Sequence, residues 1–114
     1  MNTIESELTA SMEDIFDSAG ERVVYSPVGT DEIALTAVRG SIAMERSGEQ
    51  GRYLGGTAVR FIVWKRDLGV TPQLGDKITA SDGTIYAVMG SGGKPHWEFA
   101  DPYRKTVGIF AKVM

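Results

Sequence analysis

TAVRFIVWKRDLGVTPQLGDKITASDGTIYAVM, residues 57–89, is the stretch whose reading decides the fold. Over 58–66, Val59, Phe61 and Val63 alternate with Arg60, Ile62, Trp64 and Arg66. A period of two in β-branched and aromatic residues predicts a strand. Both of its faces carry large apolar groups, so the strand is central or partly covered by another element. Residues 71–74 lead through Gly75-Asp76 into a short second strand at 77–80. Asp82-Gly83 predicts a two-residue hairpin, because glycine reaches positive φ without steric cost. Residues 84–89 return, with Ile85 and Ala87 opposite Tyr86 and Val88. Gly75, Asp76, Asp82 and Gly83 are therefore read as structural turn residues, the aspartates tying the backbone through their side chains. No catalytic constellation lies in this run. It reads as a scaffold that presents surfaces.

Outward from this block the chain reads as more short strands. Residues 21–25 and 33–44 are strands joined by a Ser-Pro-Val-Gly turn, with a bulge or sharp bend expected at Arg39-Gly40. Residues 97–99 and 106–113 complete the set, with a polar loop between them. Residues 45–56, ERSGEQGRYLGG, carry four glycines and no periodicity, and read as a long mobile loop. At the other end, Ile4, Leu8, Met12, Ile15 and Phe16 recur at helical spacing. Residues 2–18 are thus an amphipathic helix that should lie against the sheet or a neighbouring subunit, with Gly20 as its stop. The expected fold is mainly β: a small β-barrel or sandwich of about six or seven strands with an N-terminal α-helix. The expected organisation is an acidic helical arm, 1–20, and a β domain, 21–114, containing the 45–56 loop.

A chain of 114 residues is long enough for one modest core. It has no cysteine, which removes disulfides, zinc thiolates and thiol catalysis. Residues 1–20 hold Glu5, Glu7, Glu13, Asp14 and Asp17 and no Lys or Arg. The remainder has twelve basic and ten acidic residues, a net of +2 against −3 for the whole chain. That balance lacks the basic footprint of a nucleic-acid binder. The first residues do not read as a secretory signal, and no apolar run approaches a membrane span.

The chemistry-bearing residues are sparse. His96 is the single histidine, which cannot build a histidine-rich metal site. Asp67, Asp76, Asp82 and Asp101 sit beside turns and have conformational roles open to them. GSGGK at 90–94 is too short for a phosphate loop, and Pro95 stands where a helix should start. No enzyme activity, cofactor or metal is expected. One alternative is a small nucleic-acid-binding β-barrel, with Arg60, Trp64 and Arg66 on one face and Tyr86 nearby. Against it, Ile62 stands between the arginines, and arginine with aromatic residues suits a protein interface as well.

FIVWKRDLGVTPQLGDKITASDGTIYAVMGSGGKPHWEFA, residues 61–100, resembles the C-terminal half of the small lambda-like phage head–tail joining (tail attachment) proteins. Phe61, Val63, Asp67, Leu74, Gly75, Asp76, Ile78, Tyr86, Val88, Gly92, Gly93 and Trp97 carry the likeness. The acidic arm at 12–19 looks similar too. The long Gly-rich segment at 45–56 departs from the pattern. The resemblance implies a structural virion assembly protein that joins the DNA-filled head to the tail. It implies phage portal or connector and tail proteins as partners, and a homo-oligomeric ring on assembly. It also implies a location in the virion and, during assembly, the bacterial host cytoplasm. No membrane and no direct nucleic-acid contact are expected. The residues expected to carry protein contacts are Leu8, Met12, Ile15 and Phe16 on the arm, Glu45, Arg46, Glu49, Arg52 and Tyr53 in the loop, and Arg60 and Trp64 on the strand.

Overall fold

The computed structural model describes residues 3–41, 58–89 and 95–114. They form a helix α1 (Thr3–Ala19), strands β1 (Gly20–Ser26), β2 (Ile33–Ser41) and β3 (Ala58–Trp64), and a single helical turn α2 (Lys65–Leu68). Strands β4 (Lys77–Thr79), β5 (Ile85–Val88), β6 (Trp97–Phe99) and β7 (Thr106–Val113) follow. The sheet runs β3-β2-β1-β4-β5-β7, and β3 also pairs with β7, so six antiparallel strands close into a barrel. The fold is therefore the barrel, not the sandwich. β6 is a seventh strand outside the circuit. One edge of β7 pairs with β3 from Thr106 to Lys112. Its other edge is shared, Ala111–Val113 with β5 and Val107–Ile109 with β6.

The core follows from strict alternation. Val23 and Tyr25, Leu35 and Ala37, Val59, Phe61 and Val63, Ile78, Tyr86 and Val88, and Val107, Ile109 and Ala111 all point inward and are buried. Phe61 meets Tyr86 edge-on at 5.1 Å between ring centroids. Burying a side chain of this kind contributes about 2–3 kcal/mol. β3 stops at Trp64, two residues short of the predicted strand end. The chain turns into α2 there, where the Lys65 amide donates to the Lys105 carbonyl at 2.9 Å. The turn swings Leu68 into the core, where it is buried.

Two local expectations are corrected. No bulge interrupts β2 at Arg39-Gly40: Arg39, Gly40 and Ser41 pair one-to-one with Phe61, Arg60 and Val59. Gly40 is exposed, and the missing side chain leaves the ladder in register. The hairpin between β4 and β5 has three loop residues, not two. The Ala80 amide donates to Thr84 O at 2.8 Å, and the Gly83 amide donates to Ala80 O at 3.0 Å. Only Gly83 takes a positive φ, 89°, which is the three-residue turn with a glycine bulge rather than the two-residue form.

α1 runs straight into β1 at Gly20. A Cβ there would lie 2.3 Å from the Phe16 carbonyl oxygen and 2.6 Å from the Thr36 side chain. Glycine is required at that corner for close approach. No helix among the described residues is long and apolar enough to cross a membrane.

Candidate functional site

The buried carboxylates act as ties within the frame. Asp76 is 1% exposed. It accepts the Tyr25 hydroxyl at 2.5 Å, the Gln73 amide at 2.9 Å and the Val28 amide at 3.0 Å. One side chain thus pins β1, the loop after it and the approach to β4. Burial, then the hydrogen bond and charge of Asp76, push the Tyr25 phenol far above its ordinary value. Asp101 does the same for the loop before β7. Its Oδ1 accepts the Thr106 amide and hydroxyl, both at 2.7 Å, and the Lys105 amide at 2.9 Å, while Oδ2 accepts the Tyr103 amide at 3.0 Å. Burial works to raise the Asp101 pKa. The hydrogen bonds from Thr106, Tyr103 and Lys105 outweigh it and hold the carboxyl below the usual range. Asp82 accepts the Thr84 amide at 2.9 Å, and hydrogen bonds from Thr84 lower its pKa as well.

Near the start of β1, Glu21 pairs with Arg39 at 3.0 Å and accepts the Ser81 hydroxyl at 2.8 Å. Arg39 also donates to the Tyr86 hydroxyl at 2.8 Å. Tyr86 therefore faces inward and is engaged with Arg39. It does not join Trp64 on the outer side of β3, where Arg66 alone of the two expected arginines stacks on that ring. His96 Nε2 lies 2.9 Å from the Pro72 carbonyl oxygen, which places a proton on that nitrogen. Among the described residues no group of three or more His, Asp or Glu side chains could hold a metal ion.

Recesses border β3 on the outer surface: in one, Asp17, Glu21, Arg22, Arg66 and Asp67 meet beside Phe16 and Trp64, and two others differ in character. Of these two, the first is apolar. Met12, Ile15 and Phe16 of α1 meet Val38, Ile62, Ala100 and Thr106 around a cavity of about 140 Å³. Phe16 is the anchor, its ring 5.2 Å from that of Trp64. Trp64 is buried on the outward side of β3, so the strand is covered there by another element. Ile15 stays 49% exposed, so α1 leaves part of its apolar stripe in solvent.

The second recess is a basic groove of about 390 Å³ lined by Trp64, Lys65, Arg66, Gly69, Arg104 and Lys105. Its cations are seated on rings: Arg66 over Trp64 at 4.6 Å, Lys65 and Arg104 over Phe99 at 5.6 and 5.5 Å. Arg104 adopts φ 59°, a left-handed conformation rare outside glycine. Arg66 also has an exposed pair with Asp67 at 3.7 Å.

Among the residues expected to carry protein contacts, Met12, Ile15, Phe16 and Trp64 come together on one flank. Leu8 lies in α1, but its side chain is outside the described part. Glu45, Arg46, Glu49, Arg52 and Tyr53, with the whole 45–56 segment, lie outside the described residues. Arg60 is directed elsewhere: it pairs with Glu98 of β6 at 3.2 Å and sits over Phe110 at 5.8 Å. Its Nε is buried without a hydrogen-bond partner. A Cβ at Gly108 would come within 2.6 Å of that nitrogen, so the bare glycine makes room for the guanidinium. The basic groove was not foreseen. Lys65-Arg66 and Arg104-Lys105 are the only adjacent basic pairs in the chain, which is the signal that could have found it.

A closed barrel, a helix anchored on its flank, and surface recesses of apolar and basic character make up a small β scaffold. The chain belongs to the phage head-tail joining protein family, whose model matches residues 1–114. That membership gives it a phage structural, joining role. No curated protein matches the chain.

Proposed function

We propose that the chain is a non-catalytic virion adaptor joining the portal or connector end of the DNA-filled head to the tail. The observation that carries this reading is the family match over the full chain. The barrel supplies a stiff frame, and α1 with the recesses on its flank supplies surfaces for portal, connector or tail proteins. Such a protein acts in the virion and, before that, in the cytoplasm of the bacterial host. Segment 45–56 belongs to the proposed contact surface on the strength of its alternating Glu and Arg, which suit orienting charge contacts.

The test is electron microscopy of particles made without this protein. Filled heads beside separate, unattached tails are expected, and normal joined particles would remove the proposal. Replacing residues 45–56 with a short glycine linker should leave the barrel folded and abolish particle assembly. Infectious particles from that variant would remove the segment from the contact surface.

A further inference from the structure

Two like charges are brought together in the basic groove. Lys65 and Arg104 stand over the same Phe99 ring, 5.6 and 5.5 Å from its centre, and neither forms an ion pair with a described residue. Arg66 is placed differently: it stacks on Trp64 and pairs with Asp67. The backbone of Arg104 is held at φ 59°, a conformation that suits glycine. Asp101 fixes it there by accepting the amides of Tyr103 and Lys105 on either side, while the Arg104 amide donates to the Asp101 carbonyl at 3.2 Å. Strain and like-charge repulsion both oppose folding at this point. Strain of this kind persists where the residue serves a binding site.

We propose that the basic groove is the docking site for an acidic segment of a portal, connector or tail protein. The proposal rests on the adaptor reading and adds the chemistry of its partner. Lys65 and Arg104 meet carboxylates of the incoming segment, and Lys105 adds charge at the rim. The carbon stems of the basic residues, with the bare Cα of Gly69, leave room for an apolar side chain between those carboxylates. Even a Cβ at Gly69 would touch nothing within 4 Å. The positive surface is also short. Trp64 and Arg66 border the neighbouring recess as well, and that recess is lined by Asp17, Glu21 and Asp67. A DNA duplex is broad and would lay phosphates over those acids. A short acidic segment ends before it reaches them.

Fluorescence anisotropy with the purified full chain tests this, the probe being a short labelled peptide of Glu interspersed with Leu. The peptide should bind, and binding should weaken as salt rises. Lys65→Glu and Arg104→Gly should each weaken it about threefold or more. Arg104→Gly should also unfold no earlier than the parent, because glycine takes that conformation without strain. Weaker binding at an unchanged or raised unfolding midpoint is a combination that a merely structural arginine would not produce. A lowered midpoint would make Arg104 a structural residue and overturn its role in docking. No binding at low salt, or binding indifferent to both substitutions, would overturn the proposal. So would a labelled DNA duplex held more tightly than the peptide through the same two residues. In particles, the double variant should leave filled heads beside unattached tails. Joined particles from a double variant that no longer binds the peptide would overturn the groove and leave the joining role standing. That role falls only if particles join without the protein.

Discussion

Asp101 shows how a carboxylate can hold a loop in place. Four hydrogen bonds converge on it, three at one oxygen. Its pKa is lower in the folded chain than the ordinary 3.8. A group depressed on folding contributes stability that is present in full above its unfolded pKa. That contribution is lost as pH falls through the folded value. Asp101→Asn replaces an acceptor oxygen with a donor facing amide hydrogens. It should cost about 1–3 kcal/mol at neutral pH. The gap to the parent should narrow below about pH 4, as the parent's own carboxylate is protonated. Urea unfolding at several pH values measures both, and a gap independent of pH would contradict this account. The tie itself was not legible in the sequence. Asp101-Pro102 announces a turn, but the partner hydroxyl is on Thr106, and nothing local says that Thr106 points back.

Among the elements, α1 is the one that depends on docking. An isolated helix of its 17 residues is marginal in water, so its stability comes from docking. Phe16 is its buried anchor, packed on Trp64, and its burial contributes about 2 kcal/mol. Phe16→Ala should release the helix and spare the barrel. Amide hydrogen exchange should accelerate throughout α1 and stay slow in β3 and β7. Unchanged protection of α1 would show that other contacts hold it. The helix was legible because its stripe is written at local spacing, and Trp64 signalled that something covers the outer side of β3. The groove was not, because it joins residues 65–66 to 104–105 through a backbone bond that no local pattern encodes. The misjudged bulge at Gly40 has a related cause. A glycine in a strand weakens it wherever it falls, but whether the register breaks depends on the partner strand.

The barrel as a whole is held by pairings distant in sequence, above all β3 with β7. Strand identities were readable from alternation. The choice between barrel and sandwich depended on which strands meet, which only the assembled molecule decides. Closure should make the barrel one cooperative unit. Phe61, fully buried and packed against Tyr86, lies at its centre. Phe61→Ala should cost about 3–5 kcal/mol and lower the unfolding midpoint of every strand together. Strand-resolved exchange in which β1 and β2 survive the loss of β7 would contradict a single unit. β7 also has a mechanical meaning for a protein that joins two bodies. Clamped along both edges, it can be pulled out only by shearing many hydrogen bonds at once. Tension entering through α1 meets the Phe16–Trp64 contact, the packing of Met12 and Ile15 towards Val38 and Ile62, and the corner at Gly20. The helix would therefore yield first, as a fuse that lets a loaded joint stretch while the barrel stays whole.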